Sequence, residues 1–113
     1  MATRSEIRAA DRLLTALGDP TRRAMIDSLC EGPATVSELA LSAGISLTAI
    51  GQHLGVLERC GIVRTEKLGR VRTCRFEPKA LTALQTWINA HRTRWEQNLD
   101  RLGAMLEEED DNE

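Results

Sequence analysis

The stretch SLTAIGQHLGVLERCGIV, residues 46–63, constrains this chain more than any other. Ile50, Leu54 and Leu57 recur at steps of four and three, the apolar stripe of a helix that buries one face. The other face offers Leu47, Thr48, Gly51, Gln52 and Gly55. Two glycines inside one short helix cost roughly 1 kcal/mol each relative to alanine. A helix that keeps them either receives something very close against that face or packs tightly on a neighbouring helix. The offset of both glycines from the Ile50, Leu54 and Leu57 stripe argues for the first.

The residues before it supply a partner. TVSELALSAG reads as a short helix, with Thr35 and Glu38 at the spacing of a capping box and Gly44 placed to take a left-handed turn. Ser46 then caps the next helix. Two helices joined by so short a turn form a helix-turn-helix. Two further helices precede it. In SEIRAADRLLTAL, Ile7, Ala10, Leu13, Leu14 and Leu17 share a face. After Gly18, Asp19 is a natural N-cap and Pro20 suits the first helical position. Met25, Ile26 and Leu29 are the buried face of that helix, and Gly32-Pro33 ends it.

Downstream, IVRTEKLGRVRTCRF holds two β-prone runs around a glycine, a hairpin in which Cys74 and Phe76 face the core. A hairpin after a helix-turn-helix makes a winged helix. Then, from Pro78, Leu81, Leu84, Ile88, His91, Trp95, Leu99, Leu102 and Leu106 step by three and four, close to a heptad seam. A helix of about 27 residues is roughly 40 Å long. So small a domain cannot cover it, and its free length most simply packs on the same helix of a second chain. Ile7, Leu14 and Leu17 offer a second apolar strip for that contact. The expected fold is mainly α with a small β-hairpin, one winged helix-turn-helix domain over residues 1–106 with a long C-terminal dimerisation helix. Residues 107–113 are expected to be a disordered acidic tail.

Charge is uneven along the chain. Of 17 acidic residues six lie in the last seven positions, so residues 1–106 carry 15 basic and 11 acidic side chains, a net of +4. Residues 59–75 hold six of the basic residues and one acid. Such a strip is the footprint of a polyanion partner. The major groove of duplex DNA admits an α-helix, and glutamine at position 52 can pair at two points with adenine. No run of about 18 apolar residues is present, so no membrane span or membrane partner is expected. The first residues have no apolar signal core, which predicts a cytoplasmic protein.

ALGDPTRRAMIDSL, TVSELALSAGISLTAIGQHLGVLERCGIV and KLGRVRTCRFEP together resemble the ArsR family of winged-helix repressors over about residues 8–80. The resemblance implies a homodimer that binds a palindromic double-stranded DNA operator and blocks transcription until a signal releases it. By position it puts Ser46, Thr48, Gly51, Gln52 and His53 on the recognition helix, with Leu47 on the same exposed face. It puts Lys67, Arg70 and Arg72 on the wing. The dimer contact would use Ile7, Leu14, Leu17, Leu84, Ile88, His91, Trp95, Leu99 and Leu102.

The departures from the family pattern bear on the signal. Many members sense metals through a Cys-x-Cys on the third helix or through carboxylate and histidine ligands on the last. Here the third helix has no cysteine, and the last has acids such as Glu96 and Asp100 but a single histidine, His91. No metal site and no cofactor are expected, because a tetrahedral site needs three or four suitably spaced ligands. Cys30, Cys60 and Cys74 are expected as free thiols. A thiol-sensing repressor acting at Cys60 or Cys74 is one alternative, and a winged helix that binds protein or RNA is another. No nucleophile, base and orienting group are set out for catalysis, so no enzyme is expected.

Overall fold

A computed structural model describes residues 3–111. The elements run α1 (Arg4–Leu17), α2 (Pro20–Cys30), β1 (Ala34–Thr35), α3 (Val36–Ala43), α4 (Leu47–Arg59), β2 (Val63–Leu68), β3 (Val71–Phe76), a 3₁₀ turn (Pro78–Leu81) and α5 (Thr82–Asp111). This is a winged helix-turn-helix with a long terminal helix. The stripes read from the sequence are the core: Leu13, Met25, Leu29, Leu39, Ile50, Leu54 and Leu57 are all buried.

Local chemistry sets the boundaries. Asp19 accepts the Arg22 amide at 3.0 Å and Ser46 accepts the Ala49 amide at 3.1 Å, so α2 and α4 start at side-chain caps. Gly44 has φ 68° and Gly61 φ 79°, and both follow helices whose last carbonyls they help to close. At the end of α4 the Ile62 amide reaches Leu57 O at 3.1 Å and the Gly61 amide reaches Glu58 O at 3.0 Å, which turns the chain straight into β2. Gly69, φ 63°, opens the two-residue turn of the wing, where Leu68 pairs with Val71.

Four details differ from the sequence reading. The hairpin gains a third strand, since Ala34 and Thr35 pair with Cys74 and Thr73 and give the order β1-β3-β2. Thr35 makes only the outward half of its capping box, accepting from the Glu38 amide at 3.1 Å. The complete box lies at Thr3 and Glu6, which exchange two bonds of 3.1 Å. Pro78 opens a 3₁₀ turn, and the α-helix proper begins at Thr82. Finally, α5 runs on to Asp111, so residues 107–111 continue the helix where a disordered tail was expected. Glutamate is a good helix former, and no proline or capping residue stops the helix at Leu106. Asn112 and Glu113, the rest of that expected tail, lie outside the described residues.

The terminal helix dominates the shape. Its 30 residues make it about 45 Å long. The radius of gyration is 19.7 Å, where a compact domain of this size would have about 13 Å. The first turns of α5 lie on the core through Ala83 and Leu84, and α1 packs against it. Beyond them α5 stands clear of its own chain. No single helix among the described residues is long and apolar enough to cross a membrane.

Candidate nucleic-acid interface

The sequence stripe fixes how α4 faces. With Ile50, Leu54 and Leu57 fully buried, the opposite side of its first two turns is left to solvent. Leu47 is 59% exposed there, with Thr48 and Gln52 exposed beside it. An alanine methyl built at Gly51 would meet nothing within 4 Å. Tight packing inside the domain is therefore not what Gly51 serves. At Gly55 an added methyl would meet only the flexible end of Arg59, at 3.3 Å.

Gly51 and Leu47 form one wall of an open groove of about 590 Å³. The start of α3 supplies Thr35 and Ser37, and the wing supplies Lys67, Arg70 and Arg72. Thus the structure brings most of the sequence-derived set to one concave surface, an uncharged helical wall facing a cationic hairpin. Lys67 and Arg70 make no ion pair with a described residue.

Three of the proposed contacts are placed otherwise. Arg72 has a protein partner: its Nη2 lies 2.8 Å from Glu58 Oε1 on α4 and 3.3 Å from Thr65 Oγ1. Its guanidinium thereby ties the wing to the recognition helix. His53 is two residues from Gly51, about 200° around the helix, and its ring turns inward. His53 Nδ1 lies 3.4 Å from Arg22 Nη1 and 3.8 Å from Asp19 Oδ2. The hydroxyl of Ser46 is spent on the cap.

His53 thereby joins a corner built by DPTRR. Arg22 donates to Ala16 O at 2.6 Å and Thr15 O at 3.1 Å, and Arg23 donates to Leu17 O at 2.7 Å. Two guanidiniums thus cover the free carbonyls at the negative end of α1. The Arg22 amide, then the charges of Arg22 and His53, holds the Asp19 carboxyl below its ordinary value, with slight burial opposing. The corner fixes α1, α2 and α4 relative to one another. Sequence reasoning missed Arg22 and Arg23. The available signal was two arginines just past a helix that ends without a basic residue.

The apolar strips divide in two. Ile7 and Leu14 on α1 and Ile88, Trp95, Leu99 and Leu102 on α5 are exposed large hydrophobics. Leu17 and Leu84 instead pack on the chain's own core. His91 is half-buried, with Nδ1 2.8 Å from Trp87 O and its ring between Trp87 and Trp95, at 4.5 and 5.6 Å. Trp87, absent from the sequence-derived set, extends this aromatic ladder.

Among the described residues no three of histidine, cysteine, aspartate and glutamate gather as metal ligands would. Cys30 is exposed, Cys60 donates to Leu57 O at 3.4 Å and Cys74 is buried. Burial pushes the Cys74 thiol up, with Arg72 opposing and Glu58 adding to the rise. A raised, buried thiol is a poor nucleophile, which takes Cys74 out of the thiol-sensing alternative.

Comparison with known proteins bears on the whole arrangement. The model of the arsR family of bacterial regulatory proteins matches residues 19–65. The HTH-type transcriptional regulator Rv2034 of Mycobacterium tuberculosis is 35% identical over 107 residues, 95% of this chain and 97% of its own length. The chain belongs to the ArsR family of winged helix-turn-helix transcriptional regulators. A solved ArsR family transcriptional regulator, RHA00566, has a TM-score of 0.74 and 41% identity, over 85% of this chain and 97% of that one. The transcriptional repressor SdpR of Bacillus subtilis is 30% identical over 60 residues, 53% of this chain and 67% of that protein. The family match spans α2 to the start of β2 and so takes in the DPTRR corner and the whole recognition helix.

Proposed function

We propose that this ArsR-family regulator is a homodimeric repressor that reads a palindromic duplex operator. The observation that carries the reading is the groove itself. An exposed helical wall with open space at Gly51 faces Lys67 and Arg70, two cations that make no ion pair with a described residue. The first turns of α4 enter the major groove, where Gln52 addresses a base edge and Thr48 and Leu47 offer a hydroxyl and methyl groups. Lys67 and Arg70 take phosphates, the contacts that dominate affinity. Arg72 acts indirectly, by holding the wing at its angle to α4. The exposed faces of α1 and α5 supply the dimer contact, and two-fold symmetry in the protein calls for two-fold symmetry in the operator. The SdpR name supports repression as the sense of control.

The test is operator binding across salt concentrations, with RNA as competitor. Gln52→Ala should cost about 1–3 kcal/mol per half-site and relax preference at one position in each. Arg70→Ala should weaken binding to every duplex alike and reduce the salt slope by about one per subunit. Matching behaviour of the two variants would contradict the division between reading and holding. Displacement by RNA as readily as by duplex would favour the RNA-binding alternative.

A further inference from the structure

Cavities gather at the far end of α4, away from the reading turns. A cleft of about 520 Å³ lies between α1 and α4, lined by Arg12, Thr15, Val56, Arg59 and Cys60. A smaller one of about 160 Å³ shares Arg12, Arg59 and Cys60 and adds Leu13. The larger volume falls in the range of about 300–1,000 Å³ usual for small-molecule sites.

The charge there is unspent. Other arginines do have partners: Arg22 and Arg23 cover carbonyls, Arg72 holds Glu58 and Arg92 holds Glu96. Arg12 and Arg59 have no ion pair and no side-chain hydrogen bond to a described residue, and no carboxylate lines the cleft. DNA does not account for them, because Arg59 lies twelve residues beyond Leu47, about 18 Å along the helix. Two guanidiniums on one cavity suit an anion held at two points. Val56, Leu13 and the methylene stems of the arginines add an apolar wall.

We propose that this cleft binds a small organic carboxylate with a short hydrocarbon body, and that the ligand is an effector of operator binding. Arg12 and Arg59 grip the carboxylate while the hydrocarbon lies along Val56. The walls give the regulatory link. One is α1, whose Ile7 and Leu14 face the proposed partner subunit, and the other is the recognition helix. A ligand wedged between them alters the separation of the two recognition helices, which must match a helical turn of about 34–36 Å. The bound ligand therefore lowers operator affinity. The regulatory half rests on the operator reading, whereas binding in the cleft stands without it.

The probes are octanoate, 1-octanol as the same body without charge, and inorganic phosphate as charge without the body. Calorimetry on the full chain should give one octanoate per subunit, with octanol and phosphate at least about tenfold weaker, the factor that 1.4 kcal/mol represents. Arg12→Gln/Arg59→Gln should lose octanoate by a similar factor and melt like the wild type, since both side chains are exposed. Saturating octanoate should raise the operator Kd at least about fivefold, and operator should weaken octanoate by the same factor. Absent octanoate binding, equal binding by octanol, or full binding by the double variant would overturn the site. Binding at the site with unchanged operator affinity would overturn the effector role alone. Failure of the ligand-free wild type to bind operator would strike the DNA reading and leave the cleft standing.

Discussion

Replacing Gly51 by alanine should move stability and operator affinity in opposite directions. In a helix interior alanine is favoured over glycine by about 0.8–1.0 kcal/mol. At Gly51 nothing in the fold opposes that gain, because an added methyl meets no atom within 4 Å. Gly51→Ala should therefore raise the melting temperature by about 4–8 °C, the shift that 1 kcal/mol gives in a domain near this size. On DNA the same methyl stands between helix and groove. It holds α4 off by about 1.5 Å, the length of the added C–C bond. Base contacts of about 2.9 Å would then open past the roughly 3.5 Å limit of a hydrogen bond. Losing the Gln52 pair alone costs about 1–3 kcal/mol per half-site, so a two-site operator should weaken by at least about thirtyfold. Gly51→Leu should bind more weakly still. Melts at one fixed protein concentration and fluorescence anisotropy with a labelled operator read the two quantities, the concentration being held because dimer stability depends on it. Full operator affinity in a stabilised Gly51→Ala would refute close approach as the reason for the glycine. A lower melting temperature would refute the open space.

Other perturbations test the remaining parts. Glu58→Ala releases Arg72 and Thr65, so the wing should lose its fixed angle; operator affinity should fall although a negative charge has been removed, and a rise would assign Arg72 to phosphate. Trp95→Asp puts an unpaired charge on the exposed face of α5 and should take the sedimenting mass from about twice 12.5 kDa toward 12.5 kDa. Asp19→Ala removes the cap of α2 and the anchor of His53. Because the folded Asp19 carboxyl titrates below its ordinary value, its stabilisation is present above the unfolded carboxylate range, near 4, and is lost as pH falls through the lower folded value. Urea midpoints of variant and wild type should differ at pH 7 and converge in acid, and a gap that persists in acid would put the stabilisation elsewhere.

How much of this fold could be read in advance follows from the range of each interaction. Caps are decided within four residues, and Asp19, Ser46 and Gly44 all act as their positions suggest. The buried stripes are decided within a helix, and Ile50, Leu54 and Leu57 have no exposed surface. The short strand β1 fails both conditions. Ala34 and Thr35 are too few to show alternation, and their partners, Cys74 and Thr73, lie some forty residues on. Helix α5 fails differently. Its acidic end reads as tail by charge, while glutamate's helix propensity carries the helix through it.

The same distinction governs the site. Exposure of Leu47, Thr48 and Gln52 follows from the stripe behind them, so the exposed face of α4 was visible in one dimension. What each charged side chain touches depends on the element lying across from it, and there residue type misleads. Arg70 and Arg72 are two residues apart on one basic strip. Arg70 sits in the wing turn and makes no ion pair with a described residue. Arg72 shares the inward face of β3 with Cys74, and that face puts it against Glu58. His53 is a like case, one residue after Gln52 yet turned to Asp19 and Arg22 by the helical step. On the proposed reading a basic strip supplies two kinds of cation, those that meet the polyanion and those that set the angle at which the others meet it. If that division holds, salt separates them. The loss in Arg70→Ala should shrink as salt rises, since screening already weakens a phosphate contact. The loss in Glu58→Ala should persist, since a misplaced wing is misplaced at any ionic strength. Parallel salt curves for the two variants would mean that Arg72 and Arg70 do the same job.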